Sequence, residues 1–241
     1  MSRSTASAEA PTGPVVAVLG AESTGKTTLT HALALALRAR GRAAVVVGEY
    51  LREFCDAHGR TPRADEQSGI AAEQWRRIEA SARGGAIVVA DTTPLMIAVY
   101  SELVFGDRSL YDAALRLQRA CVCTLLTGLD LPWRPDGLQR DGPHVRAPVD
   151  TLLRDALERA ALPHAVVYGE GEARTAAALA AVAGALGLDP DRDPGAGRDD
   201  DAASVQAGAR PQRLTGRCRE CLVPGCEHLQ ATAPPAGQSP A

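Results

Sequence analysis

Gly20, Ala21, Glu22, Ser23, Thr24, Gly25, Lys26 and Thr27 fit the spacing G-x-x-x-x-G-K-[ST]. In that pattern the glycines let consecutive backbone N–H groups turn inward on phosphate oxygens. The lysine ammonium bridges the β- and γ-phosphates, and the final hydroxyl ligates Mg2+. The sequence therefore predicts a site for a nucleoside triphosphate with magnesium. Its cradle is Gly20, Glu22, Ser23, Thr24, Gly25, Lys26, Thr27 and Thr28. Of the 26 lysines and arginines in the chain, Lys26 is the one lysine. A planar guanidinium does not replace a compact ammonium in a tight phosphate site, so this lysine stands where arginine would not serve.

Two carboxylates follow apolar runs. Asp91 comes directly after Ile87, Val88, Val89 and Ala90. That is where phosphate-loop proteins place an acid that orients magnesium or its waters, and this is the favoured reading; the alternative is a helix cap before Thr92, Thr93 and Pro94. Glu49 follows the run 43–48 and precedes Tyr50, Arg52 and Glu53. A carboxylate there would take a proton from a substrate hydroxyl. Tyr50 would stack on a ring, and Arg52 would pair with a carboxylate or phosphate. The other reading of Glu49 is a solvated helix start with acids in its first turn. The segment 131–146 is rich in Pro and Gly and contains Trp133, Arg134, Arg140 and Arg146. It suits a loop that closes over phosphates and brings an arginine to developing charge.

These groups need elements to carry them. Five apolar runs, at 15–20, 43–48, 86–91, 121–126 and 164–168, lack polar alternation and read as strands covered on both faces. Between them lie helical stripes, such as Leu29, Ala32, Leu33, Ala36 and Leu37, then Ala71, Trp75, Ile78 and Ala82. Pro94 fits a helix first turn. The alternation predicts an α/β fold, a five-stranded mostly parallel sheet between helices, with ligands beyond the carboxyl ends of the strands. The same segments place this domain at 15–188.

The phosphate loop with its internal Glu22 and Ser23, the run Glu49, Tyr50, Leu51, Arg52, Glu53, the pair Asp91 and Thr92, and Pro132, Trp133 with Asp136, Gly137 and Leu138 occur in a recognisable order. Together they resemble the ribosylnicotinamide kinase domain of NadR-type proteins. The resemblance implies a P-loop NTPase fold of nucleoside-kinase type and transfer of the ATP γ-phosphoryl to a ribose hydroxyl of nicotinamide riboside. It implies Lys26 and Thr27 for ATP and magnesium, Glu49 and Asp91 flanking the acceptor, and Arg140 as the lid arginine. Tyr50, Arg52 and Trp133 would line the acceptor side. The sequence departs from the family at Ala21, where proline is usual. It also lacks an H-x-G-H nucleotidyltransferase motif and a helix-turn-helix region.

A net charge of -3 and an aromatic content of 3% offer neither a basic surface nor a stacking platform for nucleic acid. No apolar stretch follows Arg3, and no run is long enough to span a bilayer, so the expectation is a cytoplasmic protein without membrane contact. Residues 1–14 read as a disordered start and 189–213 as a flexible linker. The Cys-rich segment 214–230 holds Cys218, Cys221, Cys226 and His228, followed by a disordered end at 231–241. Those four side chains form either a structural Zn2+ site or a reduced thiol cluster. Cys121 and Cys123 alternate in a predicted strand and read as core residues on one face. The leading function is a small-molecule kinase acting on a nucleoside-like acceptor. The alternative is a regulatory ATPase switch that meets a protein partner through its Cys-rich tail.

Overall fold

A strand of valine, alanine and leucine with no polar residue on either side is stable only between two covering layers. In the computed structural model of the chain, which describes residues 12–134 and 142–188, β1 (Val15–Leu19) is that strand, buried at all five positions. It is followed by α1 (Lys26–Ala39), β2 (Ala44–Val47), α2 (Tyr50–His58), α3 (Gln67–Ala82) and β3 (Ile87–Asp91). Then come α4 (Pro94–Phe105), α5 (Tyr111–Gln118), β4 (Cys123–Thr127), α6 (Arg146–Arg159), β5 (Ala165–Val167) and α7 (Gly171–Leu186). The five strands pair in parallel in the order β2-β3-β1-β4-β5. This is a P-loop NTPase sheet.

Helices cover both faces. Leu29, Leu33 and Leu37 of α1 and Leu179 and Val182 of α7 close over Val16, Val18, Val89 and Leu125. On the other face, α4 and α6 pack Leu95, Val99, Val149, Leu153 and Leu157 on Leu19 and Leu126. Ile78 and Ala82 of α3 cover Val15, Val88 and Ala90 on that face. Among the described residues, no helix is long and apolar enough to cross a membrane.

Topology sets the site. The chain leaves β1 toward β3 and β2, then crosses to β4 and β5 on the other side. The crevice beyond the carboxyl end of β1 is therefore a switch point, where flanking loops part and a ligand fits. The parallel register pairs Val18 with Asp91 and Val47 with Ala90. Asp91 thus ends beside the loop leaving β1, and Glu49 lies just beyond the end of β2.

Two sequence expectations change. Periodicity put Ala71 and Trp75 on the buried stripe of α3, but both are only half-buried, and the buried line runs Gln67, Ile70, Gln74, Ile78, Ala82. A large apolar ring was the stronger signal in the sequence, yet hydrogen bonding draws the polar Gln74 inward. Cys121 and Cys123 do not share a face. A bend at Val122 precedes β4, so Cys121 packs with the Ile78 cluster and Cys123 with Leu33 and Leu125. Burial pushes their thiols up to about 12 and about 11, which keeps both neutral.

Candidate functional site

The loop from β1 to α1 takes its shape from three residues with positive φ: Gly20 (149°), Ser23 (53°) and Gly25 (74°). Gly25 caps α1, and the first helical bond is Leu29 N–H to Gly25 O at 3.0 Å. Helix geometry leaves the N–H groups of the first turn, at Lys26, Thr27 and Thr28, without intrahelical acceptors. With the helix dipole behind them, they make the loop an anion cradle. Gly20 is required by packing: a Cβ there would lie 1.9 Å from Thr127 Oγ1 at the end of β4. The Thr127 hydroxyl also sits 2.7 Å from Thr24 Oγ1 and 3.1 Å from Leu19 O. Thr24 in turn donates to Ala21 O at 2.7 Å. The loop is thus stitched to β4 by two buried threonines.

The Lys26 ammonium donates to Ala21 O at 2.9 Å, and Glu22 is buried within the loop while Thr28 is exposed. Ser23 Oγ accepts from Arg134 N at 2.8 Å and donates to Arg134 O at 3.1 Å. That double bond holds the segment after β4, with half-buried Trp133, against the phosphate loop. Residues 135–141, and with them Arg140, lie outside the described residues. So do Cys218, Cys221, Cys226 and His228.

The two residues that the sequence singled out for magnesium are in contact. Thr27 Oγ1 donates to Asp91 Oδ2 at 2.5 Å. Asp91 is 3% exposed, and its Oδ1 is buried without a hydrogen-bond partner. A buried carboxylate oxygen left over beside a hydroxyl fits a hard cation with oxygen ligands. The helix-cap reading of Asp91 is excluded, because Thr93 caps α4 by accepting from Leu95 N at 3.3 Å.

On the neighbouring side, Glu49 is the cap position of α2 but makes no side-chain cap bond. Arg52 lies 3.7 Å from its carboxylate, an i,i+3 pair. Tyr50 is more engaged than the sequence suggested. The Arg77 guanidinium sits 4.4 Å over its ring, held by Glu53 and Glu73, and the ring packs against the Leu51, Ile70 and Ile97 cluster. Thr92, immediately after Asp91, has φ of +74°, a conformation that a β-branched residue adopts only when its surroundings impose it. Its hydroxyl is also buried without a partner.

Three participants were not legible in the sequence: Gln74, Thr127 and Arg174. Arg146, a candidate for the lid, is instead buried at the start of α6, where Nη2 donates to Leu129 O at 3.2 Å. It anchors the loop base rather than reaching over it. Arg174 in the first turn of α7 is 4% exposed, and its Nε and Nη2 have no hydrogen-bond partner. A Cβ on Gly25 would lie 3.1 Å from its Nη1, which puts the guanidinium against the phosphate loop. Burial pulls its pKa below the ordinary arginine value, and the charge of Asp130 partly offsets that. The Asp130 carboxylate itself accepts from Gly169 N at 2.6 Å. Nothing in the local sequence marks Gln74, Thr127 or Arg174; distant segments bring them to the switch point.

A family model described as an AAA domain matches residues 15–174. No curated protein matches the sequence. Among solved structures, the chain is similar to a NadR protein in complex with NAD and AMP-PNP, with a TM-score of 0.59 at 21% identity over 75% of this chain and 51% of that one. It is similar also to a NadR protein in complex with NR, with a TM-score of 0.59 at 22% identity over 75% of this chain and 52% of that one. A thymidylate kinase from Ehrlichia chaffeensis overlaps with a TM-score of 0.48 at 18% identity, over 67% and 90% of the two chains. The chain spans about half the length of the NadR proteins it matches.

Proposed function

The chain belongs to the AAA-domain family, and from that premise we propose that it is a magnesium-dependent kinase that transfers the ATP γ-phosphoryl to a hydroxyl of a small nucleoside-like acceptor. Nicotinamide riboside is the first candidate acceptor. The observation that carries the proposal is the pairing of carboxylates beyond adjacent parallel strands. Asp91 contacts Thr27 at the end of β3, and Glu49 lies beyond the end of β2. A nucleotide switch needs the first of these; a second carboxylate beside it has a clear use when a hydroxyl must be deprotonated.

Under this reading the first turn of α1 and Lys26 hold the phosphates, and Arg174 adds positive charge from behind Gly25. Thr27 and Asp91 would hold magnesium, which supplies charge neutralisation between the phosphates when bound. Glu49, steadied by Arg52, orients the acceptor hydroxyl and accepts its proton. Tyr50, fixed under Arg77, presents a wall for the acceptor, with Trp133 on the segment facing the loop. Arg140 is the lid arginine in this scheme. The complexes of NadR proteins with NR and with AMP-PNP support both the acceptor class and the donor.

The test is magnesium-ATP consumption across a nucleoside panel led by nicotinamide riboside, with Glu49→Ala alongside. Acceptor-dependent turnover that yields the 5′-phosphate and disappears in Glu49→Ala sustains the proposal. ATP binding with no acceptor effect across the panel refutes it and leaves the regulatory ATPase reading.

A further inference from the structure

The amide of Gln74 is unusual for a residue in the middle of a helix. It is 1% exposed, on the sheet-facing side of α3, and three of its bonds go to backbone of other elements. Oε1 accepts from Tyr50 N at 2.7 Å. Nε2 donates to Gly48 O at 3.2 Å and to Thr92 O at 3.4 Å. Gly48 and Tyr50 are the two neighbours of Glu49, and Thr92 is the neighbour of Asp91. One side chain therefore grips the carriers of both carboxylates and uses both of its amide hydrogens to do so. It also bonds the carbonyl of a residue whose φ of +74° must be held by its surroundings.

We infer that Gln74 is a positioning residue that sets the spacing between Glu49 and Asp91, and so aligns the acceptor hydroxyl with the phosphate being transferred. The inference rests on the kinase reading for its catalytic consequence, but the geometry it asserts can be measured without activity. A core filler at this position would be apolar, since an amide buried for volume alone carries a desolvation cost. A cap would bond its own helix. Gln74 instead bonds two loops that leave adjacent strands of the sheet. Displacements on the order of 1 Å at reacting groups cost up to about a hundredfold in rate, so a tie between the two loops matters more to turnover than to folding.

The experiment compares the full chain with Gln74→Met and Gln74→Glu in four measurements: thermal unfolding, hydrogen exchange at the Tyr50 amide, nucleotide affinity in the absence of acceptor and magnesium, and kcat and KM with the acceptor found in the panel. Gln74→Met keeps the volume and removes all three bonds. The Tyr50 amide should exchange at least tenfold faster, and kcat should fall by about ten- to a hundredfold. Nucleotide affinity should stay within twofold, because the phosphate loop is untouched.

Gln74→Glu separates alignment from packing. Its carboxylate still accepts from Tyr50 N–H but donates to neither carbonyl; protonation restores one donor. Its kcat relative to wild type should therefore rise as pH falls, while the relative nucleotide affinity stays flat. A Tyr50 amide as protected in Gln74→Met as in wild type overturns the inference. So does an unchanged kcat with a lowered Tm, which is the signature of a core filler. Should Gln74→Met not fold, the exchange and pH profile of Gln74→Glu decide alone. If no acceptor supports turnover in wild type, the kinase proposal fails, and Tyr50 exchange still decides whether Gln74 ties the loops.

Discussion

Substituting alanine for Gly20 puts one methyl group into a space that the structure has already filled. The new Cβ would stand 1.9 Å from Thr127 Oγ1 and 3.2 Å from the Thr127 Cβ and carbonyl oxygen. Thr127 is fully buried, and its hydroxyl is engaged with Thr24 and Leu19 O, so it has no free direction in which to turn. Overpacking of this kind costs about 1–3 kcal/mol. The φ of +149° at Gly20, a region closed to residues with a Cβ, adds about 1–3 kcal/mol. The sum, about 2–6 kcal/mol, corresponds to a fall in Tm on the order of 5–20 °C for a chain of this size.

Thr127→Ala in the wild-type background removes the buried hydroxyl bonds and costs about 1–2 kcal/mol. In the double variant the clash with Oγ1 is gone while the backbone strain remains. The cycle should therefore show a favourable coupling of about 1–3 kcal/mol. Denaturant unfolding of the four proteins measures it, and titration with an ATP analogue should show Gly20→Ala weakened at least tenfold through displacement of the loop. A Gly20→Ala protein within 2 °C of wild type and with unchanged affinity would refute the packing argument. Strictly additive costs would show that Thr127 is not what Gly20 avoids.

Asp91→Asn keeps the side-chain shape but removes the charge whose Oδ1 is buried without a partner. The magnesium-dependent part of nucleotide affinity should fall at least tenfold, with the magnesium-free part nearly unchanged; isothermal titration with and without magnesium checks this. Arg174→Met removes a buried guanidinium with two unpartnered nitrogens. Thermal unfolding should find the nucleotide-free protein as stable as wild type or up to about 2 kcal/mol more so, whereas nucleotide affinity should fall at least tenfold. A loss of stability on this substitution would contradict the reading. At acid pH, Glu66 has its pKa lowered to about 2, first by the Arg60 side chain and then by the Arg63 N–H. A carboxyl depressed in the folded state stabilises above its unfolded value, and the contribution fades as pH falls toward 2. Wild type and Glu66→Gln should therefore differ in Tm at pH 6 and converge by pH 2, and a constant gap across that range would argue against it.

Much of the candidate nucleotide half of the site lies within short stretches of the chain. Gly20 through Thr27 needs only local order, because a strand, a glycine-bearing turn and a helix start are consecutive in sequence and the cradle is made of their backbone. Asp91 was readable for the same reason: an apolar strand ending in an acid is a short-range pattern. The acceptor side was less legible. The sequence singled out Tyr50 as a ring available for stacking, but Arg77, 27 positions later by number, covers one face of it. It ranked Trp75 as buried on α3 because size and hydropathy dominate a periodicity argument, and so missed the adjacent Gln74.

By itself, then, the order of residues determined the five strands to within two residues, and it singled out the candidate phosphate cradle and the two candidate carboxylates, since each depends on spacing within one strand–loop–helix segment. Tertiary structure decided the rest. It brought Thr27 to Asp91, Thr127 to Gly20 and Thr24, Arg174 to Gly25, and Gln74 to Gly48, Tyr50 and Thr92. The physical reason is that a hydrogen bond or a buried charge takes its value from whatever lies within about 3 Å, and in a parallel sheet those neighbours come from strands far apart in the chain.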